Sequence, residues 1–103
     1  MKRVKRRYLA LKVECEVLPG EREFMDAVWG SVARMYGEVG ASQTSLSLIN
    51  FDVERKIAVI RTSLSTLDFV RASLASITSL GDRDACVHVL AVSGTIKALA
   101  ANF

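Results

Sequence analysis

The sequence has few of the residues that metal- and thiol-dependent enzymes use: one histidine, His88, and two cysteines, Cys15 and Cys86. No C-x-x-C pair occurs, which excludes the common zinc and redox motifs. Neither G-x-S-x-G nor a histidine–carboxylate pair at metalloenzyme spacing is present. No apolar run approaches the ~20 residues that cross a bilayer, and no apolar signal core follows the charged N-terminus. We therefore expect a soluble, cytoplasmic protein with no membrane partner and no catalytic residues of its own.

The remaining potential ligands have simple structural interpretations. Cys15 and Cys86 lie in apolar segments, so we expect two small buried side chains, with a disulfide between neighbouring strands left open. Glu14 and Glu16 would share one strand face and could bind a metal, but such pairs are typical of a solvated strand surface. His88 lies within a strand-like segment, where a single histidine is usually structural.

Positive charge is concentrated at the N-terminus. The formal net charge is +3, and five of the fourteen basic residues fall within residues 1–7, namely Lys2, Arg3, Lys5, Arg6 and Arg7. Residues 8–103 then hold nine basic and eleven acidic residues, a net charge of −2. This pattern predicts a basic arm, residues 1–7, that binds a polyanion such as RNA. A solubilising tail is the alternative.

Hydrophobic periodicity predicts the order β-α-β-β-α-β followed by a short helix. Period two indicates strands, and period 3.6 indicates helices. The predicted strands are residues 8–17, two strands about a turn near 52–55, the second being 56–62, and 85–92. The predicted helices are 21–36 with a left-handed cap at Gly37, a helix from about 65 that Gly81 ends, and 94–103.

Alternation within these elements predicts the core. On the first strand it selects Leu9, Leu11, Val13, Cys15 and Val17. On the first helix it selects a stripe of Phe24, Ala27, Val28, Ser31, Val32 and Met35, and on the second helix Leu67, Val70, Leu74 and Ile77. Ser65 and Asp68 form a capping-box variant, and Ile96, Leu99 and Phe103 would dock the last helix.

This order predicts an α+β fold. Two β-α-β halves with right-handed crossovers form a four-stranded antiparallel sheet with both helices on one face, the ferredoxin-like or RNA-recognition-like sandwich. Residues 8–103 would form this single domain. The third predicted strand, KIAVIRTSL, has no aromatic residue, and Tyr8 is the only outward aromatic of the first. The usual base-stacking platform of RNA-recognition sheets is therefore missing.

The segment VSGTIKAL raises the question of a phosphate loop. Its single glycine, Gly94, is too few for converging amides, and Ser93 or Thr95 can cap a helix alone. We therefore predict a cap, with Lys97 placed to meet a backbone phosphate. Another apolar row on the first helix, containing Trp29 and Tyr36, either widens the core or docks a partner. Together with Phe69 on the second helix, these two residues are the candidate partner interface.

Several segments resemble one family. RRYLALKVE, MYGEVGAS, LINFD, KIAVIRTSLSTLDFVRASLASITSL and VSGTIKAL occur in the order found in ribonuclease P protein component 2, the archaeal relative of a small eukaryotic ribonuclease P/MRP subunit. The resemblance spans nearly the whole chain. LDFVRASLASIT together with VSGTIKAL carries most of its specificity.

The resemblance implies a non-catalytic protein subunit of ribonuclease P, the particle that removes the 5′ leader from precursor tRNA. Its RNA would hold the catalytic site and the magnesium ions, and the protein would bind no cofactor. Partners would be the ribonuclease P RNA, precursor tRNA, protein component 3 and other subunits, with a homodimer inside a heterotetramer. The residues that match the pattern, and for which we expect RNA or partner contacts, are Arg71, Ser93, Gly94, Thr95 and Lys97.

A second interpretation stays open. Apolar surface residues and the slightly acidic body would also suit a ferredoxin-like regulatory or assembly domain that forms homodimers and binds no RNA.

Overall fold

The computed structural model describes residues 5–100. Five strands and three helices follow one another along this part of the chain, and a short 3-10 turn, Leu64–Thr66, precedes the second helix. The elements are β1 (Arg6–Cys15), α1 (Glu21–Ser42), β2 (Ser47–Asp52), β3 (Ile57–Ser63), α2 (Leu67–Ala75), β4 (Ser79–Leu80), β5 (Arg83–Ser93) and α3 (Ile96–Ala100).

The strands form one antiparallel sheet in the order β2-β3-β1-β5-β4. This confirms the ferredoxin-like fold, with a fifth strand that the sequence did not predict. The prediction that Gly81 ends the second helix is wrong: α2 ends at Ala75, and β4 pairs with the start of β5. Gly81 has φ +66° and supplies the left-handed position of the intervening hairpin turn.

Side chains of β1 alternate between two faces of the sheet, which we call the helix-covered face and the open face. Leu9, Leu11 and Val13 are fully buried on the helix-covered face, against α1 and α2. Val17 is exposed, contrary to prediction, because β1 ends at Cys15 and the alternation stops there. On β3, the predicted central strand, nearly every residue is buried.

Helix α1 buries the predicted stripe as far as its fourth turn. Phe24, Val28 and Val32 are fully buried, but Met35 is 47% exposed. Tyr36, four residues after Val32 and therefore on the same helix face, packs against the core where Met35 was predicted to pack. Gly37 has the positive φ of the predicted cap, +79°, but its ψ of 169° is not the left-handed helical value, and the chain resumes helical geometry up to Ser42.

Buried hydroxyl groups connect α1 to α2. The Ser31 hydroxyl donates to the Ser73 carbonyl oxygen at 2.7 Å and lies 2.8 Å from the Ser76 hydroxyl.

The predicted capping box at Ser65 is wrong, because Ser65 lies inside the 3-10 turn and α2 begins two residues after it, at Leu67. Thr66 occupies the N-cap position, and its hydroxyl oxygen lies 2.6 Å from that of Ser63.

Helix α3 packs on the open face. Leu99 is buried there against Ala10 and Val59, as predicted for a docking residue. Ile96 is 48% exposed, because it borders an open groove beside β2 and β3 and is not enclosed by them. Phe103, the third predicted docking residue, lies outside the described residues. None of the described helices combines the length and apolar character needed to cross a membrane.

The two cysteines are free thiols in different environments. Cys15 is buried, as predicted, but Cys86 is exposed. The register pairs Cys15 with Ala85 and Glu14 with Cys86. Since neighbouring positions on a strand point to opposite faces, the two thiols lie on opposite sides of the sheet, and no disulfide joins them.

Candidate nucleic-acid interface

The basic residues at the start of the described chain belong to the sheet. Arg6 and Arg7 are the first residues of β1 and pair with Ser63 and Thr62 of β3. The Lys5 carbonyl oxygen accepts a hydrogen bond of 2.8 Å from the Leu64 amide. Backbone pairing therefore fixes the position of three of the five predicted cations, while Lys2 and Arg3 lie outside the described residues.

Strand β5 brings the Ser93-Gly94-Thr95 segment to the same end of the sheet, because Ser93 pairs with Tyr8. The Arg7 guanidinium lies beside Gly94: a Cβ added to this glycine would be 3.5 Å from Arg7 Nη1. Arg7 Nη1 also donates to the Arg6 carbonyl oxygen at 2.9 Å. Two segments that are distant in sequence, and that were predicted separately to contact RNA, therefore meet here.

The cap interpretation of this segment is confirmed. The Thr95 hydroxyl accepts a hydrogen bond of 3.1 Å from the Ala98 amide, and the Thr95 carbonyl accepts one from Leu99, also at 3.1 Å. The Thr95 amide lies 3.4 Å from the Ser93 hydroxyl. Helix α3 has only five residues, so its dipole is short. Lys97 is exposed in its first turn and is the side chain of this segment that carries charge.

Arg61 is a further cation at this end that the sequence analysis missed. It lies on β3 directly opposite Tyr8, and its Nη2 is 3.4 Å from the Ser47 hydroxyl of β2. Its Nε is buried and has no hydrogen-bond partner among residues 5–100. Pairing RRYLALKVE with KIAVIRTSL in antiparallel register would have placed Arg61 beside Tyr8, but the register depends on tertiary structure.

We call Lys5, Arg6, Arg7, Tyr8, Arg61 and Lys97 the basic end of the sheet. Within the described part of the chain, the two ion pairs are Arg83–Glu16 and His88–Glu14, so no carboxylate neutralises the cations of the basic end. Arginine guanidiniums offer several donors that match phosphate oxygens. The arrangement can therefore bind an anionic backbone, with the Tyr8 ring as one stacking surface.

The other predicted residues lie in the helix layer, on the opposite side of the sheet from α3. Arg71 is exposed on α2. Tyr36 of α1 and Phe69 of α2 stack with ring centroids 4.2 Å apart and planes 11° apart. Trp29 is partly buried against the core, and Phe69 is 37% exposed. The predicted partner residues and Arg71 thus lie in the helix layer, whereas Lys97 lies on α3, on the open face.

Comparison with known proteins gives a consistent result. The family model of the Rpp14/Pop5 family matches residues 7–103. Ribonuclease P protein component 2 of Pyrococcus furiosus is 35% identical over 98% of this chain and 84% of its own length. The protein of the same name from Methanosarcina mazei is 32% identical over 98% of this chain and 85% of its own length.

The fold also occurs in a solved structure. A chain in the cryo-EM structure of yeast ribonuclease MRP matches with a TM-score of 0.73 at 16% identity, covering 92% of this chain and 78% of that one. At this identity the likeness shows the fold alone, and the family is shown by the family model together with the archaeal relatives. The chain belongs to the Rpp14/Pop5 family.

Proposed function

We infer that this chain is a non-catalytic protein subunit of ribonuclease P and supports the particle's RNA in removing the 5′ leader from precursor tRNA. The observation that carries this function is the similarity to archaeal ribonuclease P subunits over nearly the entire chain. The basic end of the sheet adds a physical reason, because it collects cations where backbone pairing holds them.

The RNA contact is electrostatic in this proposal. Arg6, Arg7 and Arg61 bind phosphate oxygens, and Tyr8 stacks on an unpaired base. Lys5 belongs to the same end of the sheet, and the proposal adds Lys2 and Arg3, which lie outside the described residues, as further cations for the RNA. Such contacts place a protein on RNA without reading much sequence, which suits a subunit that stabilises the shape of a folded RNA.

Catalysis belongs to the RNA, and so do the magnesium ions. The one cluster of three potential metal ligands within residues 5–100 combines Glu14, Cys86 and His88. Magnesium prefers oxygen ligands in octahedral geometry, so a thiol and an imidazole do not fit it. The chain's own role is therefore to hold and orient the RNA that supplies the chemistry.

The helix layer is the proposed protein-binding surface. In the stacked pair of Tyr36 and Phe69, Phe69 is 37% exposed, and Trp29 lies seven residues before Tyr36 on the same helix. Aromatic residues are enriched at interface hot spots. Protein component 3 is the proposed partner, and a homodimer of this chain joins two such pairs into a heterotetramer. The particle works in the cytoplasm on precursor tRNA.

Reconstitution of precursor tRNA cleavage tests this function. The RNA and the partner subunits are combined with or without this chain, and the cleavage rate is measured at a magnesium concentration where the RNA alone is slow. The proposal predicts faster cleavage with the chain, and none by the chain alone. Equal rates with and without it would refute the proposal, and recovery of a homodimer that ignores the RNA would favour the regulatory-domain alternative.

A further inference from the structure

Three side chains of different chemical type meet on the open face of the sheet, where β1 pairs with β5. Glu14, Cys86 and His88 each direct one ligand atom to the same place, and these atoms all lie within 4.8 Å of one another. His88 Nε2 is 3.2 Å from Glu14 Oε2. This cluster plays no part in the RNA contacts proposed above.

Strand register brings the three together. Glu14 and Cys86 are cross-strand partners, and His88 follows two residues after Cys86 on the same face of β5. Cross-strand partners have Cβ atoms about 4.5–5.5 Å apart, and the diagonal position is within reach of longer side chains. The ligand set is therefore held by regular sheet geometry.

Nearby cations are occupied elsewhere. Lys12 is the cross-strand partner of His88, but its Nζ donates to the Arg55 carbonyl oxygen at 2.7 Å, toward the β2–β3 turn. Arg83 pairs with Glu16, with 3.8 Å between Arg83 Nη1 and Glu16 Oε2.

The sequence predicted Glu14 and Glu16 as a potential metal-binding pair. In the folded chain Glu16 follows the end of β1, and Glu14 faces the thiol and the imidazole.

We propose that Glu14, Cys86 and His88 form a binding site for a zinc ion. Zinc accepts thiolate, imidazole and carboxylate ligands at about 2.0–2.3 Å, in tetrahedral geometry. Ligand atoms in such a site are roughly 3.3–3.8 Å apart, from the same bond lengths. Because the three side chains are exposed, small rotations about their χ angles close the present separation.

The site leaves a fourth position open to solvent. All three ligands come from one surface of a sheet, so a water molecule or another small ligand completes the tetrahedron from outside. Sulfur and nitrogen ligands favour zinc over magnesium, which keeps this site distinct from the magnesium-dependent chemistry assigned to the RNA. The inference does not depend on the proposed function, since it concerns the isolated chain.

Zinc titration of the full-length chain, with a non-thiol reductant present, tests the site. Isothermal calorimetry should show one saturable zinc ion per chain. Cobalt substituted for zinc should give a thiolate-to-cobalt charge-transfer absorption. Cys86→Ser should abolish this absorption, and Cys86→Ser, His88→Gln and Glu14→Gln should each weaken zinc binding at least about 10- to 100-fold, since even outer-shell partners of metal ligands contribute that much.

The chain supplies matched controls. Glu16→Gln changes the same residue type two positions from Glu14, and Cys15→Ala removes the other thiol; both should retain zinc and the cobalt absorption. Folding of each variant is checked by circular dichroism. Absence of saturable zinc binding to the wild-type chain, or an equal loss for Glu16→Gln and Glu14→Gln, would overturn the proposal.

Discussion

Neutralising the arginines of the basic end should reduce the salt dependence of RNA binding. The perturbation is the triple variant Arg6→Gln, Arg7→Gln and Arg61→Gln. None of these guanidiniums has a carboxylate partner among the described residues, so each is available to a phosphate. Each phosphate contact contributes about 0.7–0.9 to the slope of log affinity against log salt. Three contacts therefore account for a slope of about 2.

The effect is large enough to measure by filter binding or fluorescence anisotropy with ribonuclease P RNA. Over a fourfold rise in salt, a slope difference of about 2 means that wild-type affinity falls about 16-fold more than that of the variant. At low salt the variant should bind more weakly, and the two curves should converge as salt increases. The charge loss is three units, so a control must lose the same charge elsewhere.

A matched control replaces three exposed arginines outside the basic end, Arg22, Arg34 and Arg55, with glutamine. It has the same net charge as the test variant, so a general effect of charge predicts equal slopes for both. Our account predicts a near wild-type slope for the control. Equal reductions in the two variants would refute a localised RNA-binding surface at the basic end.

Three further predictions concern stability, measured by urea denaturation of the full-length chain. Gly30→Ala should stabilise by about 0.5–1 kcal/mol, because Gly30 lies inside α1 with free space around it. Gly37→Ala should instead destabilise by about 1–3 kcal/mol, because φ +79° with ψ 169° is a conformation that essentially only glycine adopts. Equal effects of the two substitutions would contradict the kink. Ser31→Ala should destabilise by about 1–2 kcal/mol through the lost hydrogen bonds to α2, and an unchanged midpoint would contradict this. Leu99→Ala should destabilise the fold by about 2–3 kcal/mol, because Leu99 is buried. Ile96→Ala should cost less than about 1 kcal/mol, because Ile96 is half exposed. A larger cost at Ile96 than at Leu99 would contradict the docking of α3.

Local sequence patterns predicted most of the fold. Alternation in RRYLALKVE identified β1 and its buried face, and the 3.6 period identified α1 and α2. Errors occurred where a local signal had two meanings. Gly81 is as suitable for a hairpin turn as for a helix end, and β4 has only two residues, which is too short for a periodic pattern. Ser65 had the spacing of a cap, but the preceding 3-10 turn moved the helix start to Leu67.

The functional surfaces were less predictable because they depend on strand pairing. A cap at Ser93 or Thr95 was predicted because capping is local, and the Thr95 hydroxyl makes the capping bond. The approach of Arg7 to Gly94, and of Arg61 to Tyr8, joins residues more than fifty positions apart. The same holds for Glu14, Cys86 and His88, whose meeting follows from the β1–β5 register. A sequence shows the residue types available, while the sheet determines which of them face one another.

Photo-crosslinking in the assembled particle tests the central claim most directly, namely that the basic end of the sheet contacts RNA. A photoreactive amino acid is placed either at Lys97, within the basic end, or at Arg34, exposed on α1. Our account predicts RNA crosslinks from position 97 and no RNA crosslinks from position 34. RNA crosslinks from position 34 alone would contradict it.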